Sequence, residues 1–295
     1  MKKYWRFFKK KRLLIPLSLL TVLVLANSCV SLRMNDDKVI KSFKKVNQTP
    51  KIYHTNYKGK KMRYITSNPI NKKLPTVLFL HGAPGSSSDF YRYLKDTLLS
   101  KKANLISIDR LGYGYSDYGV SETSLTEQAE SAFSILNENN LEKVIVMGWS
   151  FGGPIAVKLT VLHPDIIKHV ILIAPAISPK DEKFFILGKL AYWKLTKWTL
   201  PRPFRVAEDE KLTHVKELNL LLPDWSKITT PISYYHGNKD KIVPFANAAF
   251  IKTHVAKPYL KMMTIEGGTH FLMFKHYSMV RNEILHILDN LTKKD

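Results

Sequence analysis

Four short apolar runs, residues 76–80, 104–108, 143–147 and 169–174, constrain this chain more than any other feature. Each is rich in Val, Ile and Leu and lacks the alternation of a half-solvated strand. That is the pattern of strands buried on both faces of a parallel sheet. Helical periodicity fills residues 89–99, 125–136 and 151–162. Strand alternating with helix builds βαβ units, and βαβ units build a doubly wound sheet covered by helices. A β-hairpin is expected before them, over residues 51–57 and 61–66, turning at Lys58-Gly59-Lys60. Two later strands, residues 231–235 and 259–265, and a closing helix carrying Val280, Ile284 and Leu291 complete the unit.

Between residues 178 and 230 the alternation stops. An aromatic, basic stretch, residues 184–198, leads to Pro201-Arg202-Pro203. A helix is expected from about Val206, with Leu212, Val215, Leu218 and Leu222 at helical spacing. The segment predicts a small helical cap, residues 178–230, inserted into a core made of residues 51–177 and 231–295. Phe184, Phe185, Tyr192, Trp193 and Trp198 would spread around a helix instead of forming one stripe, which suits the interior of the cap.

The chemistry-bearing motif is Gly148-Trp149-Ser150-Phe151-Gly152, between the strand at 143–147 and the helix at 151–162. Strand, sharp turn and helix are the context of a nucleophile elbow. A second motif, His81-Gly82-Ala83-Pro84-Gly85-Ser86, follows the strand at 76–80 directly. Together these residues resemble the α/β-hydrolase superfamily, in its H-G-x-P-G branch, over about residues 50–291. The resemblance implies an α/β-hydrolase fold with a mostly parallel sheet. It implies that Ser150 is the nucleophile and that the backbone N–H groups of Ala83 and Phe151 form an oxyanion hole. The family order of Ser, acid, His points to Asp240, after the strand at 231–235, and His270, after the last strand. Asp224 and His276 are the alternatives. His81 is expected to pack the oxyanion loop. Asp109-Arg110-Leu111-Gly112-Tyr113-Gly114-Tyr115-Ser116 resembles a loop that is chiefly structural in that superfamily.

A serine nucleophile favours acyl transfer to water through an acyl-enzyme. Epoxide hydrolases and haloalkane dehalogenases carry aspartate at that position. The expected activity is cleavage of an ester or related acyl bond in a small-molecule substrate. A proline-iminopeptidase-like aminopeptidase and a carbon–carbon bond hydrolase are the alternatives within the fold. A non-catalytic binding protein is the alternative outside catalysis. A peptidase would need a carboxylate for the substrate amine; Asp181, Glu182, Glu208, Asp209 and Glu210 are candidates. No cofactor is expected. No metal is expected either, since no H-x-x-x-H or carboxylate cluster stands at ligand spacing.

The N-terminus is a targeting segment. Seven Lys and Arg and no acid fall within residues 1–28, and an apolar run covers residues 13–26. That run suits a signal-peptide core better than a full span. It ends at Leu25-Ala26-Asn27-Ser28-Cys29, with the only cysteine of the 295 residues where a bacterial lipoprotein signal would place it. Residues 1–28 are therefore expected to be a signal peptide, Cys29 a lipidation site and residues 29–50 a tether holding the body at the cell envelope. An uncleaved anchor over residues 13–32 is the alternative. A net charge of +22 favours anionic headgroups. Nucleic acid is not expected as a partner, because no recognition fingerprint accompanies the scattered lysines.

Overall fold

The computed structural model describes residues 32–46, 48–183 and 197–293. Eight strands form one sheet: β1 (Lys51–Tyr57), β2 (Lys60–Thr66), β3 (Thr76–Leu80), β4 (Asn104–Asp109), β5 (Val144–Trp149), β6 (Ile167–Ile173), β7 (Ile232–Gly237) and β8 (Leu260–Ile265). Their order is β1-β2-β4-β3-β5-β6-β7-β8. β2 is antiparallel to both its neighbours, and β3 to β8 are parallel. The chain steps from β3 to β4 on one side and then crosses to β5 on the other. This reversal opens a crevice at the carboxyl ends of β3 and β5, the place where open α/β sheets bind ligands.

Among the described residues the helices are α1 (Asp36–Lys44), α2 (Tyr91–Leu94), α3 (Thr97–Lys102), α4 (Leu125–Glu138), α5 (Gly152–Leu162), α6 (Arg202–Leu221), α7 (Ala246–His254), α8 (Leu272–Lys275) and α9 (Tyr277–Thr292). They cover the two faces of the sheet. Along β3, Leu78 and Leu80 join the core shared with Ile135 of α4 and Ile155 of α5. Val77 and Phe79 point the other way, into the core shared with Phe43 of α1 and Ile284 of α9. Alternate side chains of one strand thus feed two separate cores, which is why these strands are apolar throughout.

Three local outcomes differ from the sequence reading. The helix expected over residues 89–99 is broken into a 3-10 turn, Ser87–Phe90, followed by α2 and α3. Asp96 causes the break: its Oδ1 accepts the N–H groups of Leu98 (2.9 Å) and Leu99 (3.1 Å), which caps a new helix. α7, between β7 and β8, was not anticipated. Residues 32–46, expected to belong to a tether with a short helix, are docked on the body, with Val39 and Phe43 of α1 fully buried.

The segment between β6 and β7 holds α6 and a 3-10 helix, Leu222–Lys227, with no strand among its described residues. α6 starts at Arg202, ahead of the expected Val206, because Pro203 sits in its first turn where a missing N–H costs nothing. Phe184, Phe185, Tyr192 and Trp193 lie outside the described residues, as do residues 1–28 and Cys29.

Candidate active site

β5 runs two residues further than its apolar run and ends at Trp149, so Ser150 sits at the turn into α5. Ser150 has φ +54°, a left-handed conformation that a non-glycine residue adopts only where the surroundings enforce it. Its N–H donates to Ile173 O (3.0 Å), and its carbonyl accepts from Gly153 N (3.0 Å) and Ala176 N (3.2 Å). The glycines of the motif are required by close approach. A Cβ at Gly152 would lie 2.1 Å from Leu80 O, and one at Gly148 would lie 2.4 Å from Gly152 O.

The loop after β3 closes over this turn. A Cβ added at Gly82 would stand 3.1 Å from Ser150 Cβ. Among the described residues, the N–H groups of Ala83 and Phe151 have no protein acceptor. The turn is therefore flanked by two unspent backbone dipoles, one from each loop. His81 is fully buried and uses both ring nitrogens on backbone: Nδ1 donates to Gly82 O (2.7 Å), and Nε2 accepts from Arg110 N (3.0 Å). Burial, reinforced by the Arg110 charge, holds it well below the ordinary histidine range despite the bond to Gly82. It packs the loop and has no ring nitrogen left for proton transfer.

Asp240 lies three residues after β7 and His270 five after β8, and the two side chains meet: His270 Nδ1 donates to Asp240 Oδ2 at 2.8 Å. Asp240 Oδ1 accepts from Ile242 N (2.8 Å) and Val243 N (2.9 Å). Burial pushes the Asp240 carboxyl up. The hydrogen bonds from His236 and His270, the His270 charge and the Ile242 N–H overcome this and hold it far below the carboxylate range. His236, with Nε2 3.4 Å from Asp240 Oδ2, is a partner that the sequence reading did not identify. Trp149 ties His270 to the elbow: its indole Nε1 donates to His270 O (3.1 Å), and the two rings are 5.5 Å apart.

The alternatives sit elsewhere. Asp224 pairs with Lys158 (3.0 Å) and Lys227 (2.9 Å). His276 is an exposed residue at the junction of α8 and α9.

A second buried cluster lies behind the loop after β3. Arg110 donates from Nε to His81 O (2.9 Å) and from Nη2 to Gly82 O (3.1 Å). Its Nη1 donates to Glu210 Oε1 (2.6 Å), and Tyr113 Oη donates to Glu210 Oε2 (2.6 Å). Burial disfavours charge on Arg110, but the Glu210 and Tyr113 interactions outweigh it and keep Arg110 above its ordinary value. Glu210, on α6, is thus committed to the scaffold. Three of the other carboxylates considered for an amine are also engaged: Asp181 with Ser178 (2.5 Å), Glu182 with Lys211, and Asp209 with Lys197 (2.5 Å) and Ser121 (2.6 Å). Glu208 is half-buried, and burial together with Asp209 pushes it up.

Residues 75–215 match the family model described as alpha/beta hydrolase fold. A 1-acylglycerol-3-phosphate O-acyltransferase of Arabidopsis thaliana is 33% identical over 142 residues, 45% of this chain and 34% of that protein. A serine hydrolase of Homo sapiens is 26% identical over 208 residues, 63% of this chain and 70% of that protein. The first curated relatives are matched over only a quarter to a third of their own length. Among solved structures, a serine hydrolase from Cycloclasticus zankles superposes with a TM-score of 0.64 at 15% identity, covering 82% of this chain and 99% of that one. With its eight-stranded, mostly parallel sheet flanked by helices, the chain has the α/β-hydrolase fold.

Proposed function

We propose that this protein is a serine hydrolase that cleaves carboxylic esters through a Ser150–His270–Asp240 triad. The observation that carries the reading is the 2.8 Å hydrogen bond from His270 Nδ1 to a buried Asp240, beside a serine held at φ +54°. With Nδ1–H committed to Asp240, the Nε2 lone pair of His270 is the base. Ser150 Oγ adds to the acyl carbon while His270 Nε2 takes its proton. The developing oxyanion is stabilised by the N–H groups of Ala83 and Phe151, which need no reorganisation to donate. His270 returns the proton to the departing alcohol, leaving the acyl group on Ser150. Water then adds, losing a proton to His270, and Ser150 leaves with that proton as the acid is released.

Ester chemistry is favoured over an aminopeptidase by the carboxylates. Asp181, Glu182, Asp209 and Glu210 are held by Ser178, Lys211, Lys197 and Arg110 respectively, so they are poorly placed to pair with a substrate amine. The N-terminal motif supports a further part of the reading: the body is held at the cell envelope through a lipidated Cys29. A hydrolysis panel tests the chemistry. Turnover of p-nitrophenyl esters with no turnover of proline p-nitroanilide is expected. Turnover of the anilide alone would make the protein an aminopeptidase.

A further inference from the structure

The first described residues after Cys29 are fixed to the catalytic edge of the sheet. Leu32 O accepts from Ser86 Oγ (2.7 Å), three residues beyond Ala83 in the oxyanion loop. Arg33 lies over the rings of Tyr118 (4.0 Å) and Tyr115 (4.6 Å) in the loop after β4, and donates to Gly114 O (3.4 Å). Met34 O accepts from Arg63 Nη1 (2.9 Å), and α1 then continues into the core. Ser86 and Gly114 follow the carboxyl ends of β3 and β4, and Ser150, Asp240 and His270 follow those of β5, β7 and β8. All five therefore share one edge. β4 and β5 flank β3, so the loops that hold the docked segment and the elbow follow neighbouring strands of the sheet.

This placement limits where a membrane can be. Three peptide steps separate Cys29 from Leu32, a reach of at most about 11 Å. An uncleaved anchor over residues 13–32 would end at the docking point itself. Were either anchor seated in a bilayer, the catalytic edge, where residue 32 is docked, would be the edge drawn toward it. The same edge exposes large apolar side chains: Phe271 (44%) and Phe274 (36%) just after His270, Val120 (62%) after Tyr118, and Phe204 (37%) in the first turn of α6. Arg202, at the start of α6, lies 5.8 Å from the Tyr118 ring, which puts that turn beside the docked Arg33. Exposed aromatics beside Arg33 and Arg202 suit a lipid interface, and the net charge of +15 that remains without residues 1–28 suits an anionic one.

We propose that the N-terminal segment holds the catalytic edge against the membrane, and that the substrate is an acyl ester of a lipid embedded in that membrane. The inference rests on the serine-hydrolase reading and on the N-terminal anchor. Water and the lipid ester are the reactants; a fatty acid and the deacylated lipid are the products.

The test uses the protein as extracted from the membrane, reconstituted in vesicles of phosphatidylglycerol and phosphatidylethanolamine. Release of fatty acid from the vesicle lipid is measured beside turnover of soluble p-nitrophenyl acetate. The variant inserts a 12-residue Gly-Ser linker after Val30, which adds roughly 19 Å of flexible reach and frees the orientation. The insertion should lower fatty-acid release at least tenfold and leave soluble-ester turnover within twofold. Equal release by parent and variant would overturn the orienting role. Soluble-ester turnover with no fatty-acid release by the parent would overturn the lipid substrate while leaving the hydrolase reading intact. Loss of both activities in the parent would remove the hydrolase reading, and this inference with it.

Discussion

Arg110 and Glu210 meet at 2.6 Å with no solvent exposure on either side chain, one hundred residues apart in the chain. The pair joins α6 to the loop after β3, because the same guanidinium donates to His81 O and Gly82 O. Truncating Glu210 to Ala would strand a buried cation, a loss of about 3–5 kcal/mol of stability. Glu210→Gln keeps an acceptor and should cost less. Through the loop that carries Ala83, it should lower kcat while KM stays near the parent value. Denaturant unfolding and steady-state kinetics check both points. A Glu210→Ala variant as stable as the parent would show that the pair does not hold the loop.

The acid of the proposed triad is tested by pairing two substitutions. Asp240→Asn retains the shape of the site but removes the charge that faces His270, and should lower kcat by roughly 10⁴-fold. Asp224→Asn breaks only its bonds to Lys158 and Lys227 and should leave kcat within a few-fold. The opposite ranking, measured on one chromogenic ester, would transfer the acid role to Asp224.

The strands were legible in the sequence because burial on both faces leaves an apolar run, and these runs are short and rich in Val and Ile, which separates them from a buried helix. β3 matches its run residue for residue, and β5 overshoots only where Gly148 and Trp149 carry the strand into the elbow. Ser150 was marked by its strand–turn–helix motif, and Asp240 and His270 by the chain order of the superfamily the motifs resemble; the structure puts Ser150 at the turn and bonds His270 to Asp240. What escaped depends on contacts distant in sequence or on single side chains. The break at Asp96 turns on one carboxylate choosing two N–H groups. α7, with the sequence Ala246-Asn247-Ala248-Ala249-Phe250-Ile251-Lys252-Thr253-His254, buries only Asn247, Ala248 and Ile251, too few to mark a stripe. Glu210 was considered for a substrate amine because its partner Arg110 lies on another element. His236 escaped because its role depends on the turn that brings Asp240 back over it.

His214, on α6, gives a pH prediction. It is fully buried, and burial pulls it down to about 3; its donation to Ala176 O opposes this, and the Lys211 and Arg110 charges add to it. Glu182 Oε2 stands 4.0 Å from its Nε2. The folded value lies below the unfolded one of about 6.5, so the unfolded chain binds more protons between the two. This contribution to stability is complete above pH 6.5 and is lost progressively as pH falls toward 3. His214→Gln keeps a donor for Ala176 O but cannot titrate. The fall in Tm between pH 7 and pH 4.5 should be smaller in the variant. An equal fall in both proteins would assign the acid sensitivity to other groups.

Processing at Cys29 is read by mass. Lipoprotein maturation would remove residues 1–28 and add acyl chains at Cys29, each buried CH₂ contributing about 0.8 kcal/mol to membrane binding. Membrane-extracted protein should begin at Cys29 with added acyl mass, and Cys29→Ala should accumulate as the full-length precursor. A wild-type membrane form that begins at Met1 and is unchanged by Cys29→Ala would establish the uncleaved anchor over residues 13–32.

The most direct test of the central claim is the position of a covalent adduct. Treatment of the purified protein with a fluorophosphonate, followed by proteolysis and mass spectrometry, should place a single phosphonyl group on Ser150. Labelling should be lost in Ser150→Ala and strongly slowed in His270→Ala, because the hydroxyl reacts only when the imidazole takes its proton. An unlabelled wild-type protein, or an adduct on another residue that persists in Ser150→Ala, would contradict the account.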